Sequence, residues 1–511
     1  MKKLPLGKSD FKDIIQNNFV YVDKTKYIYD LIESGDVFFL SRPRRFGKSL
    51  TVSTLYYLFK GEKELFEDTW IYDKWNWEEW PIIRLDMSRL NGETVEANRF
   101  RLTLMLKEIA ETYGVELEYS KPELYDVMID ELIKKLVRKY KKEVVVLVDE
   151  YDYPMLSNIT DEEELERERE FLSKFYMMFK TNDENIRFVF ITGISKFSKV
   201  SIFSKMNNLI DLTMNEEYST MFGYVEEEIE RYYREHIEVV KERLNMSEEG
   251  FWEKIREWYN GYSWDGKNRV YNPHSVNSLF FNKQFLNFWY DTGTPSFLIN
   301  HIRKRGFVEL ENMKYSITQL GAREIEDSLL PIFLWQAGYL TIVYKDEETV
   351  VFDYPNREVE QSFSELLTTE YTGIDEIVEL RDNLRKYFKD NEWKEFIEEL
   401  NRVISSYPYT LLKEFKKEAH WHVLVRAILA TGFGRVKAEE LTSKGRADLV
   451  VEYDNKVLVM ELKLDKSAKE AVEQIKEKGY ANKYRGKEVW IMGMNIDSRQ
   501  RKIVEYLVEK G

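Results

Sequence analysis

The chain has 511 residues, too many for one ordinary core, and its 43% hydrophobic and 15% aromatic content excludes a disordered polymer. A net charge of −15, with 33% of residues charged, excludes a uniformly basic nucleic-acid coat. The absence of cysteine removes disulfides, thiolate metal sites and a cysteine nucleophile, and the five histidines show no HExxH spacing. The basic start MKKLPLGKSDFK runs into no apolar signal core. No apolar run approaches the ~18 residues of a membrane span, so a cytoplasmic chain with no membrane partner is expected. Abundant Glu and Lys without Cys fits a thermophile's protein. Charge is unevenly spread: residues 411–511 hold 21 Lys and Arg against 16 Asp and Glu, which makes this stretch the basic part.

In chain order, residues 11–18 predict a short helix, 19–25 a strand or turn, and 26–35 a helix stopped by Gly35. Residues 37–40 are a short apolar strand of the buried, parallel-sheet kind. Residues 49–59 follow as a helix, 81–87 as a strand, and 96–113 and 121–141 as helices. The strongest strand is 143–149 (EVVVLVD), continuous, β-branched and ending in acids. A charged helix over 161–180 and a buried strand over 186–192 complete the pattern, and such alternation predicts a parallel α/β sheet. From 226 to 290 the chain turns helical and aromatic, and 330–353 reads as a helix and a hairpin with an acidic tip. Residues 374–431 are helical again. Strands follow at 436–442, 447–453 and 456–462, then a helix over 467–479 and a strand over 488–493. The shifts in pattern divide the chain into 1–225, 226–375 and 376–511.

Two constellations carry chemistry. In the first, the strand at 37–40 leads into Arg42-Pro43-Arg44-Arg45-Phe46-Gly47-Lys48-Ser49, the GK[ST] ending of a phosphate-binding loop with Arg42 where the general motif has its first Gly. Backbone N–H groups at a helix N-terminus, with Lys48 and the Ser49 hydroxyl, suit a triphosphate and its Mg²⁺. A hundred residues on, Asp149-Glu150 end the strongest strand. Asp149 is placed to hold the metal and Glu150 to polarise the attacking water. Thr192 and Ser195 close a neighbouring strand where a polar sensor would face the γ-phosphate, with a polar strand cap as the alternative. Arg44 and Arg45 either neutralise phosphate, act on a neighbouring subunit's site, or form a solvated basic turn.

In the second constellation, Asp448 on one strand is followed after about a dozen residues by Glu461-Leu462-Lys463 at the end of the next. On adjacent strands Asp448 and Glu461 can converge on one divalent ion, and Lys463, two residues on, shares the face of Glu461 and can orient water or stabilise charge on phosphorus. Glu418 and His422, at i and i+4 of a helix, could supply a further acid. Gln474 lies on the following helix, with Tyr480 beyond it.

These segments resemble the bacterial and archaeal AAA-ATPase-like proteins that carry a C-terminal PD-(D/E)XK nuclease-superfamily domain. The resemblance runs nearly end to end, through LPLGKSD (4–10), YVDKT (21–25), SRPRRFGKS (41–49), VDEYDYP (148–154), ITGISK (191–196), WYNGYSW (258–264), YNPHS (271–275), TGTPSFL (292–298), GYLTI (338–342), YPNREV (354–359), Gly445–Asp448 and Glu461–Lys463. It implies a P-loop ATPase domain joined through a helical region to a restriction-endonuclease-like α/β domain. ATP and Mg²⁺ are the implied cofactors. Arg42 agrees with the family's own RPRRFGKS. The family's nuclease positions fall on Asp448, Glu461 and Lys463, and its helix motif on Glu418 and His422. The expected function is ATP binding and hydrolysis coupled to metal-dependent cleavage of nucleic acid, DNA ahead of RNA, with a homo-oligomer among the expected partners. The alternative is a nucleotide-dependent switch whose nuclease-like domain only binds nucleic acid or a protein. The aromatic middle motifs are read as core and turns, ahead of a base-stacking role.

Overall fold

The computed structural model describes the chain except for residues 158–160, 196–202, 204–205, 290–312, 321–329, 374–376, 443–444, 479–483 and 485, and except for the side chains of 438–442, 445–448 and 478. The chain forms two compact units, Met1–Leu286 with Lys314–Asp353, and Asn287–Met313 with Tyr354–Gly511. The helices following residue 225, expected as a separate connector, therefore belong to the first unit, as does the hairpin. The second unit takes up the main run of chain at 354, earlier than the expected 376.

The first unit is built on β1 (Val37–Ser41), β2 (Ile82–Asp86), β3 (Val144–Asp149), β4 (Ile186–Gly193) and the two-residue β5 (Ile210–Asp211), all parallel, in the order β2-β3-β4-β1-β5. Every residue of β1 and β3 is buried, as expected where helices cover both faces of a parallel sheet. Helices Lys48–Phe59, Val95–Thr112, Tyr125–Tyr140 and Glu162–Thr181 are the crossovers such pairing requires. Their starts are legible: Thr94 and Asp161 accept from backbone N–H groups of the first turn, and three acids follow Asp161. β4 lies between β1 and β3, so the ends of three adjacent strands face one crevice, where ligands of open α/β sheets bind.

The same unit contains helices Glu226–Leu244, Glu248–Tyr259, Pro273–Asn282 and Leu330–Ala337, and a small antiparallel sheet of β6 (Lys314–Ser316), β7 (Thr341–Lys345) and β8 (Thr349–Asp353) in the order β6-β8-β7. Asn260-Gly261 stops a helix and Asn272 caps the next, accepting from His274 and Ser275 N–H groups, in line with the core-and-turn reading. TGTPSFL lies outside the described residues.

The second unit begins with helices Arg357–Thr372, Ile377–Asp390, Trp393–Ser406 and Glu418–Phe433. A sheet follows: β9 (Lys437–Thr442), β10 (Gly445–Tyr453), β11 (Lys456–Leu464), helix Ala468–Lys478, β12 (Glu488–Asp497) and β13 (Lys502–Lys510). Its order is β13-β12-β11-β10-β9, with β11 and β12 parallel across the helix and the other pairs antiparallel. Val450, Val457, Val459, Val472, Ile475, Val489 and Ile491 bind that helix to the sheet, each side chain contributing about 1.5–3 kcal/mol on burial. β13 has no counterpart in the predicted elements. No helix among the described residues is long and apolar enough to cross a membrane.

Candidate active sites

At the first site the chain leaves β1 into the basic loop and turns into the next helix at Gly47, whose φ of 93° no side-chain-bearing residue adopts cheaply. Lys48 opens the helix, is buried, and donates from Nζ to the carbonyls of Arg42 and Pro43, 2.9 Å each. Burial lowers its pKa, while Asp149, Glu150 and Asp152 act to raise it and Arg44 to lower it. Asp149 is buried and accepts from the Glu150 N–H at 3.0 Å; burial raises its pKa, against the pull of the neighbouring Ser49 hydroxyl and of Lys48. Ser49 and Asp149, expected together from the sequence, are thus neighbours. Glu150 sits in the left-handed region at φ 51°. Burial is the main cause of its raised pKa, with Lys48 opposing and Asp149, Asp152 and Asp86 adding. Asp86 ends β2 at the rung of Asp149 and was not singled out from the sequence.

Thr192 ends the strand between the loop strand and the acidic strand, as a sensor position requires. Its hydroxyl, however, donates to the Leu40 carbonyl at 2.8 Å, so its proton ties β4 to β1. This geometry is that of the strand-cap alternative. Ser195 is held by Asp152, which accepts from the Ser195 N–H (2.7 Å) and hydroxyl and from the Ile194 N–H (3.1 Å). Asp152 is fully buried, and burial raises its pKa against these bonds. Room for it exists only because residue 193 is Gly: a Cβ there would lie 2.4 Å from Asp152 Oδ1 and 2.5 Å from the Tyr151 ring. Sequence reading missed Asp152, since a third acid after a strand end looks like a solvated turn.

Arg42 turns away from the phosphate cradle. It is buried, donates to the carbonyls of Ser41 (2.8 Å), Thr213 (2.9 Å) and Tyr218 (3.3 Å), and stacks 4.1 Å from the Trp264 ring. Phe46 packs edge-on against Tyr262 and Trp264. The aromatic WYNGYSW stretch thereby backs the loop. Arg44 is half-buried near Lys48, whereas Arg45 is exposed with φ 69°.

At the second site Glu418 and His422 share a face of helix Glu418–Phe433, and Glu461 lies on β11. Each offers one ligand atom, and these atoms lie within 4.8 Å of one another. Lys463 Nζ donates to Glu461 at 2.7 Å and to Glu418 at 3.3 Å, and the Leu464 N–H donates to Glu418 at 3.2 Å. Burial, the largest single influence on Lys463, lowers its pKa. The two glutamates together outweigh it and hold the pKa above the usual value. Leu449 pairs with Met460 across the ladder, so the antiparallel register brings position 448 to the rung of Glu461; the Asp448 side chain lies outside the described residues. Gln474 is half-buried on helix Ala468–Lys478, and among the described residues no hydrogen bond joins it to the cluster. Tyr480 lies outside the described residues. The two groups first read as accessory, Glu418 and His422, are thus the ones seen to converge with Glu461.

Residues 5–203 match a family model described as predicted AAA-ATPase, and residues 416–506 match the PD-(D/E)XK nuclease superfamily. The chain is also 32% identical over 524 residues, covering 99% of each chain, to a protein of Azotobacter chroococcum mcd 1 described as "Uncharacterized protein in vnfD 5'region". With the strand order, the phosphate loop and the Glu-x-Lys strand in agreement, the chain belongs to the family of AAA-ATPase-like proteins that carry a C-terminal PD-(D/E)XK nuclease-superfamily domain.

Proposed function

We propose that this chain binds and hydrolyses ATP in its first unit and cleaves nucleic acid in its second, as a divalent-metal-dependent phosphodiesterase. The observation that carries the reading is the convergence of Glu418, His422 and Glu461 beside the Lys463 ammonium. The donor sets suit divalent cations, a hydroxyl with a carboxylate at the first site and two carboxylates with an imidazole at the second. Ser49 and Asp149 would hold Mg²⁺ with the nucleotide. Glu418, His422 and Glu461, joined by Asp448, would hold the ion of the nuclease site. Such ions polarise phosphoryl oxygens and lower the pKa of bound water.

The chain's own groups do the rest. Lys48 and the N–H groups from Arg44 to Ser49 bind the phosphates. Glu150, its pKa raised by burial, accepts the proton of the attacking water. Lys463, held protonated by its two carboxylate neighbours, stabilises charge developing on the phosphodiester. DNA ranks ahead of RNA as the substrate. Arg45, exposed on the loop, is the group best placed to reach another copy of the chain.

The test is cleavage of labelled single- and double-stranded DNA and RNA by the full chain, in Mn²⁺ or Mg²⁺, with and without ATP, beside Glu461→Ala. Cleavage that disappears in the variant supports the reading, and its dependence on ATP reports whether the two activities are coupled. Equal cleavage by both proteins, or none by either, overturns it; the second result leaves an ATP-binding chain whose C-terminal domain only binds its partner.

A further inference from the structure

We propose that the second unit carries a base-stacking platform, Tyr409 with Arg501, that engages single-stranded nucleic acid beside the metal cluster; this rests on the nuclease reading above. Tyr409 opens the short helix Tyr409–Leu412 and, at 65%, is the most exposed aromatic ring among the described residues. The Arg501 guanidinium lies 4.2 Å from its ring centroid. One face of the phenol is thereby backed by a cation, leaving an exposed aromatic surface with positive charge alongside.

The turn carrying Arg501 is tightly built. Asp497 accepts from the N–H groups of Arg499 (2.9 Å) and Gln500 (2.7 Å), its carbonyl accepts from Arg501 N–H at 2.7 Å, and Asp465 accepts from Ser498 N–H at 2.8 Å. The acids of this turn thus serve backbone donors. In the chain the exposed Lys413 and Lys416 follow Tyr409 and the exposed Arg499 and Lys502 lie beside Arg501, and the Lys413 N–H donates to the Tyr409 carbonyl at 3.0 Å. Among the described residues Lys416, Arg501 and Lys502 have no salt bridge, whereas Lys476 and Lys487 in the same unit are paired with Glu509 and Glu452.

Register places the platform next to the chemistry. Glu461 pairs with Gly493 and Lys502 with Asp497, so the turn lies four rungs, roughly 13 Å, further along the sheet. From the other side, Lys413 and Lys416 lead directly into Glu418, whose carboxylate is tied to Leu464 and Lys463. Phosphates meet the cations regardless of sequence. A ring accepts a base only when that base has left its duplex stack, which singles out unpaired strands.

The test uses the full chain carrying Glu461→Gln, to suppress cutting, and fluorescence anisotropy at fixed salt with labelled oligo-dT, oligo-U and a blunt DNA duplex. Adding Tyr409→Ala is expected to weaken single-strand binding about five- to hundred-fold and leave duplex binding unchanged, with Tyr409→Phe restoring it. The oligo-dT and oligo-U arms distinguish DNA from RNA as the source of the strand. Unchanged single-strand affinity in Tyr409→Ala, or an equal loss on duplex, overturns the platform. If Tyr409→Ala without the Glu461 change cuts and binds like wild type, the platform fails and the nuclease reading stands. If wild type neither binds nor cuts any of these probes, the nuclease reading fails and takes the platform with it.

Discussion

Lys463 offers the sharpest test of the second site, because removing it should move binding and catalysis in opposite directions. Its ammonium lies 2.7 Å from Glu461 and 3.3 Å from Glu418, serving as counter-ion to two of the three grouped ligands. A divalent ion on those carboxylates must draw Glu461 away from this partner while facing its charge. A hydrogen bond to a charged group contributes about 1.5–3 kcal/mol, which corresponds to about 10- to 100-fold in Kd. Lys463→Met keeps much of the stem's volume and removes the charge. We expect it to bind Mn²⁺ about 10- to 100-fold more tightly, while cleavage falls at least about 100-fold. Calorimetric titration of Mn²⁺ into both proteins at pH 8 reads the first effect. Gel-based cleavage reads the second. Mn²⁺ affinity that stays the same or drops in Lys463→Met would refute the reasoning, since Lys463 would then support the ligands rather than compete for them.

Three further outcomes are expected. Glu168 is fully buried, its carboxylate accepts from Asn98, and burial pushes its pKa up to about 7 from 4.5, helped by Glu164 and Glu96 and opposed by Asn98 and Arg99. The neutral form is favoured in the fold, so its stabilisation is fully present below about pH 4.5 and lost as pH rises through about 7. Glu168→Gln should therefore raise the urea midpoint at pH 8 by the equivalent of up to about 3 kcal/mol and change it little at pH 4.5; an equal effect at both pH values refutes this. Asp152→Asn places an amide among three donors and should cost about 1–3 kcal/mol and slow ATP hydrolysis more than it weakens ATP binding, as read by steady-state kinetics beside a nucleotide titration. Trp264→Ala uncovers Arg42 and Phe46 and should destabilise the first unit by about 3–5 kcal/mol, lowering ATP affinity in a fluorescent-nucleotide titration; unchanged affinity would show that the loop holds its shape without the indole.

What could be read from the sequence was what neighbours in the chain decide. The run EVVVLVD, with four valines and a leucine between its acids, reads as a buried strand, and a Gly before Lys48-Ser49 announces a helix that begins on N–H groups suited to phosphate. The i, i+4 spacing of Glu418 and His422 likewise put them on one face before their meeting with Glu461 was known. What escaped depends on contacts remote in the chain or on an atom that is missing. The role of Asp152 needs the absent Cβ of Gly193. Thr192 was located correctly at a strand end, yet the direction of its proton depends on the Leu40 carbonyl across the sheet. β13 (KIVEYLVEK) mixes charged and apolar residues without clean alternation, because much of this edge strand faces solvent. The division at 225 followed a change from strand pattern to helix pattern, and such a change does not mark where packing ends.

The anchoring of Arg42 bears on how the chain can be divided. The residues that receive its guanidinium outside the loop, Thr213, Tyr218 and Trp264, all lie beyond residue 203, where the match to the ATPase model stops. A fragment trimmed to the recognisable ATPase segment would keep every phosphate-binding group and lose the cover over this arginine. Its guanidinium would then be open to water at the foot of the loop, and the loop would have to surrender conformational freedom each time nucleotide arrived. The smallest autonomous form of this AAA-ATPase-like domain is therefore larger than the matched segment, and excision experiments should begin from the first compact unit with its aromatic segment included.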